Sequence, residues 1–85
     1  MITVSDLLNG RALLKIYHTD TYIDYVRPIS INVNKEDKTI DYYLPDGDIV
    51  SYSVLTKTYM MYGDDDSYEV AVEFVKGVEG INFLV

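Results

Sequence analysis

The chain has no cysteine and no tryptophan, only two prolines and two phenylalanines, and a single histidine, His18. Without cysteine there is no disulfide brace, no thiolate zinc site and no thiol redox chemistry, which excludes a small secreted disulfide scaffold. No stretch approaches the roughly 20 apolar residues of a membrane-spanning helix. The opening segment MITVSDLLNGR lacks the basic and continuous apolar regions of a secretory signal, so the expected location is cytoplasmic. Glycine-rich phosphate loops, HExxH and the EF-hand pattern are also missing, and with them the usual routes to a cofactor or a metal. Basic residues are scarce as well: seven against fourteen acids leave a net charge of -7. That balance opposes direct binding to nucleic-acid phosphates or to an anionic membrane.

What is present argues for one folded unit. Eighty-five residues make a single compact domain over 1–85. A chain this short buries only about 60–65% of the surface its unfolded form exposes. Hydrophobic content of 48%, spread along the whole length, is what ordering the chain requires and what disordered chains lack. Residues 1–38 hold five acids and five bases, whereas residues 39–85 hold nine acids against Lys57 and Lys76 alone. The entire net charge therefore belongs to the second half, an asymmetry that suits an acidic interaction surface. Ile, Tyr, Asn and Lys total 26 residues and Ala, Gly, Pro and Arg only 11, a skew compatible with an AT-rich phage or mobile-element gene.

Ser5 to Gly10 reads as a short helix, with Ser5 as N-cap, Asp6 at the positive helix end and Asn9-Gly10 as a left-handed stop. After Gly10 the dominant period is two, the mark of half-buried strands. RALLKIYH sets Ala12, Leu14 and Ile16 on one face. YIDYVR follows, ending at Pro28, and ISINVN then alternates Ile29, Ile31 and Val33 with polar residues. A four-residue loop over 35–38 pairs Val33 with Ile40, Ile31 with Tyr42 and Ile29 with Leu44, apolar against apolar. The Asp46-Gly47 pair signals a second hairpin, with Leu44 near Ile49 and Tyr43 near Val50. A five-residue loop over 63–67 closes a third, pairing Tyr62 with Tyr68, Met60 with Val70 and Lys57 with Glu73. A terminal strand INFLV docks through Ile81 and Phe83. The expected fold is mainly β, a β-rich α+β chain with a short N-terminal helix and an antiparallel meander or small barrel of about six or seven strands.

No catalytic site is expected. His18 lies beside Thr19-Asp20 without a nucleophile or metal motif, and it reads as an exposed turn or strand-end residue. Asp64, Asp65, Asp66 and Ser67 carry oxygen ligands suited to hard cations, as do Asp46 and Asp48. Adjacent aspartates on a short loop point apart, however, and a solvated hairpin tip is the simpler reading. Tyrosine is abundant, nine residues in all, and most suit core margins. Tyr17, Tyr25 and Tyr59 fall on the more polar faces in this strand scheme, and exposed tyrosines among Asp and Ser resemble recognition surfaces.

These features lead to a non-catalytic binding protein that meets a basic surface of a protein partner through Asp64, Asp65, Asp66, Glu69, Tyr59, Asp46, Asp48 and Glu79. The small, acidic, cysteine-free profile is similar in kind to phage-encoded inhibitors that imitate nucleic acid, a likeness of composition rather than motif. The alternative is a structural or virion subunit that forms homo-oligomers through an edge strand, ISINVN or INFLV, or through its tyrosines.

Overall fold

A computed structural model describes residues 2–77. Helix α1 (Val4–Asn9) is followed by β1 (Ala12–Tyr17), β2 (Ile23–Val26), β3 (Ser30–Asn34), β4 (Thr39–Tyr43), β5 (Ile49–Ser53), β6 (Thr58–Tyr62) and β7 (Ser67–Lys76). The seven strands form one sheet in the order β2-β1-β7-β6-β5-β4-β3, every pairing antiparallel. The expected terminal strand INFLV lies outside the described residues.

The connection between β2 and β3 explains the shape. These strands are the two edges of the sheet, yet only residues 27–29 join them. Seven flat strands would hold their edges about 29 Å apart, whereas the path from Val26 to Ser30 reaches about 14 Å at most. The sheet therefore curls into a half-barrel with the buried Pro28 in the crossing segment. Its inner face carries Leu14, Ile16, Tyr42, Val50, Met61 and Val70, the centre of the core. Leu7 of α1 joins this cluster, and the helix packs against β1 and β3, near the two approaching edges. Burying a leucine fully contributes about 1.5–3 kcal/mol, enough to dock a six-residue helix that would not persist alone.

The helix is short, as expected, and Gly10 caps it at φ 85. Its N-cap is Thr3 rather than Ser5: the Thr3 hydroxyl accepts from the Asp6 amide at 3.2 Å while the Asp6 carboxylate accepts from the Thr3 amide at 3.0 Å. This reciprocal box satisfies two amides that a cap at Ser5 would leave without that support.

The β3–β4 register is the expected one, with Ile31 opposite Tyr42 and Val33 opposite Ile40. Two other hairpins differ by one residue. In β4–β5, Tyr43 faces Ile49 and Tyr42 faces Val50. Gly47, at φ 95, donates to the Leu44 carbonyl at 3.1 Å, and Leu44 in turn donates to the Asp48 carbonyl at 2.9 Å. Pro45-Asp46-Gly47 is thus a three-residue loop with glycine at the bulge position, not a two-residue turn. In β6–β7 the loop is 63–66, closed by Gly63 N donating to Asp66 O at 3.0 Å, and Tyr62 faces Ser67. A one-residue slip exchanges the faces of a strand. Tyr59 and Met61 consequently point inward in place of Met60 and Tyr62, and Tyr59, expected on a polar face, packs against the core. Lys57 does not pair with Glu73: it adopts a left-handed turn conformation at φ 58, while Glu73 accepts from the Tyr17 hydroxyl opposite Lys15.

Candidate functional site

Strand alternation places the β1–β2, β4–β5 and β6–β7 turns at one end of the half-barrel, and the β3–β4 and β5–β6 turns at the other. The first end carries Asp24, Asp46, Asp48, Asp64, Asp65 and Asp66. The second carries Lys35, Lys38 and Lys57, together with Arg11 and Lys76 where β1 begins and β7 ends, offset in part by Glu36 and Asp37 in the β3–β4 turn and by Asp6 beside Arg11. The first end is therefore strongly acidic and the second weakly basic.

At the acidic end a pocket of about 340 Å³ opens into the barrel. Ile16, Val26, Leu44 and Met61 line its apolar part, and His18, Tyr22, Asp24, Asp46, Asp48 and Tyr68 its polar part. His18 sits just past the end of β1, the turn or strand-end position expected from the sequence, but it is not exposed. Its side chain is only 9% accessible, and both ring nitrogens are engaged: Nε2 lies 3.0 Å from Asp24 Oδ2 and Nδ1 2.8 Å from the Tyr68 hydroxyl. An ionised carboxylate only accepts, so Nε2 donates to Asp24, and in the neutral ring Nδ1 accepts from Tyr68. Tyr22 stacks on the imidazole with centroids 4.4 Å apart and planes 17° off parallel. One wall is thus built from β1, β2, their turn and β7.

The opposite wall is Asp46 and Asp48. The Asp46 carboxylate accepts from the Asp48 amide at 2.9 Å, which fixes the bulged turn, and it leaves the Asp48 carboxylate without a hydrogen-bond or ion-pair partner among the described residues. Asp48 Oδ1 and Asp66 Oδ1 both flank Gly63, 3.7 and 3.5 Å from the place a β-carbon would occupy. Burial lifts the Asp48 carboxyl above its ordinary value, and the charges of Asp46, Asp64 and Asp66 lift it further, against a smaller opposing effect of His18. The same negative field reaches the tyrosines. Burial and then the charges of Asp66, Asp48, Asp24 and Asp46 raise Tyr68, and a hydrogen bond to Asp24 followed by its charge raises Tyr22.

The remaining sequence-selected residues lie apart from the pocket. Asp65 is exposed on the β6–β7 tip, and Glu69 is on the outer face, opposite Met60. Tyr59 is inside, its ring 4.6 Å from that of Tyr52. Glu79 lies outside the described residues. Sequence reasoning missed His18, Asp24, Tyr22 and Tyr68 as a group. Their one local signal was the run HTDTYID, in which histidine, tyrosine and aspartate are close enough to meet around a turn.

Among the described residues no three histidine or acidic side chains come together in a way that could hold a metal ion, and no helix is long and apolar enough to cross a membrane. The class of protein is defined by the fold itself, a curled seven-stranded antiparallel half-barrel with one short helix. No known protein family, curated protein or solved structure matches the chain.

Proposed function

We propose that this chain is a small non-catalytic binding protein whose acidic barrel end occupies a basic site on a protein partner, the kind of site that otherwise receives nucleic-acid phosphates. The observation that carries the reading is the convergence of Asp46 and Asp48 from one hairpin with Asp64 and Asp66 from another, with Asp48 and Asp66 on either side of Gly63; burial first, and then the charges of these neighbours, lift the Asp48 carboxyl above its ordinary value. Among the described residues the ion pairs are Arg11–Asp6 and His18–Asp24, so no lysine or arginine is paired with this group. Keeping like charges together costs stability, and a basic partner would turn that cost into attraction. The action is occlusion, as suits an inhibitor encoded by a phage or mobile element.

The test is the affinity of a captured partner for the wild-type chain and for the Asp46→Asn/Asp48→Asn/Asp64→Asn/Asp66→Asn variant across salt concentrations. The variant binds more weakly and with a shallower salt dependence. Equal affinity at every salt concentration removes the reading.

A second reading is self-assembly along β3. This strand ends the sheet, and Ile29 and Val33 beside and within it are 62% and 56% exposed. Light scattering across protein concentration separates the two: a stable oligomer that survives the fourfold substitution favours assembly.

A further inference from the structure

The pocket at the acidic end has two chemistries arranged in depth. Ile16 and Met61 are fully buried side chains of the core, and with Val26 and Leu44 they make an apolar interior that would not hold a bare inorganic cation. Tyr22, Tyr68 and His18 form an aromatic side, and Asp46 and Asp48 stand across from it. The hydrogen bonds of Asp24 and His18 are spent on each other and on Tyr68, which holds the aromatic side in place. Asp48, a partly exposed residue, is left with a carboxylate that has no hydrogen-bond or ion-pair partner among the described residues. A ligand that satisfies the whole lining needs an aliphatic body for the interior and a single cationic group for Asp48, with aromatic faces beside the charge. At about 340 Å³ the space is at the small end for ligand pockets, with room for one long side chain and its hydration but little for a larger cofactor.

We infer that this pocket is a socket for one lysine or arginine side chain of the partner, its stem lying over Val26 and Pro45, above the buried Met61 and Ile16, and its charged end between Asp48 and the Tyr22–His18–Tyr68 wall. This deepens the proposed function and rests on it for the source of the side chain. The surrounding aspartates attract a basic surface in general, and the socket selects one residue of that surface. Asp64 and Asp66 steer, whereas Asp48 holds.

The experiment uses the 85-residue chain, labelled at methionine methyls, and follows the Met61 signal by NMR. The probes are Nα-acetyl-lysine methylamide, its uncharged isostere Nα-acetyl-norleucine methylamide, free n-butylamine and ammonium chloride. The lysine probe shifts Met61 saturably and at least several-fold more tightly than the norleucine probe. Asp48→Asn abolishes the difference between the two, while Asp64→Asn, on the same charged surface but not lining the pocket, leaves most of it. Ammonium leaves Met61 unmoved. Equal titration by lysine and norleucine probes overturns the socket, as does a lysine effect that Asp64→Asn removes as fully as Asp48→Asn. Tighter binding of n-butylamine than of the peptide-borne side chain assigns the pocket to a free amine and overturns the partner as source. Movement of Met61 on concentrating the chain alone assigns it to a second copy and does the same. No partner is needed for these titrations, so failure of the socket is read separately from failure of the acidic end to capture a partner.

Discussion

The carboxylates of Asp48 and Asp66 stand on either side of Gly63, brought together from two hairpins that the sequence separates by two strands. Their proximity is a cost the fold carries. Asp48 is raised by burial and by its acidic neighbours, so its folded form favours the proton. The stabilising contribution of that proton is full below the ordinary carboxyl range and is lost as pH rises through the raised value. At neutral pH the repulsion is fully developed. Asp48→Asn is therefore expected to raise Tm at pH 7 by roughly 1–4 °C in low salt, and by less at pH 3 or in high salt. Thermal denaturation at the two pH values checks this, and a Tm that falls at pH 7 contradicts it.

His18 ties β2 to β7 through Asp24 and Tyr68. His18→Phe keeps a flat ring against Tyr22 and removes both hydrogen bonds. A loss of roughly 1–2 kcal/mol follows, or about 5–10 °C in Tm for a domain of this size. The same substitution frees Tyr68, so its ring signals broaden or move in NMR spectra. An unchanged Tm with an unchanged Tyr68 environment would show that the bridge is not formed.

Two glycines in the acidic turns are expected to respond differently to alanine. Gly47 sits at φ 95 with open space around it, so a side chain there meets backbone strain rather than collision. Gly47→Ala costs about 1–2 kcal/mol and loosens the turn that carries Asp46 and Asp48. At Gly63 an added β-carbon meets its nearest neighbour, Asp66 Oδ1, at 3.5 Å, an ordinary contact. Gly63→Ala is expected within about 0.5 kcal/mol of the wild type. Urea titration of the pair measures the contrast.

Tyr42 reports on the core at alkaline pH. It is 6% exposed, and burial, with smaller effects from Tyr59 and Tyr52, pushes its hydroxyl up to about 12. The unfolded chain ionises its tyrosines near 10, so stability is full below that pH and is lost as pH rises from about 10 towards 12. Alkaline unfolding followed by circular dichroism should begin in that window, and Tyr42→Phe should make it less steep.

Much of this architecture is legible in the sequence where one face is unambiguously apolar. Ala12, Leu14 and Ile16 announce the inner face of β1, and Ile31, Val33, Ile40 and Tyr42 fix the β3–β4 register by matching across a four-residue loop. Legibility fails in β6, because TYMMY is apolar on both faces and alternation alone cannot choose between Met60 and Met61. The loop decides it there, through the Gly63–Asp66 backbone bond, and in β4–β5 through a glycine that serves as a bulge. The acids at 46, 48, 64 and 66 can be picked out by charge, but their convergence depends on the β5–β6 pairing, in which Ile49 faces Tyr62 and so sets Asp48 beside Gly63. The curl, which follows from three residues joining the two edges of the sheet, brings β1 and β2 round to face them. The His18 cluster draws on β1, β2, the turn between them and β7, and no local pattern displays such an arrangement.

The most direct measurement is backbone hydrogen exchange of the chain alone and bound to its captured partner. If the acidic end is the binding surface, protection on binding concentrates at residues 44–48, 62–68 and 18–24 and leaves residues 30–34 of β3 unchanged. Protection confined to residues 30–34, with the acidic turns exchanging as in the free chain, would contradict it.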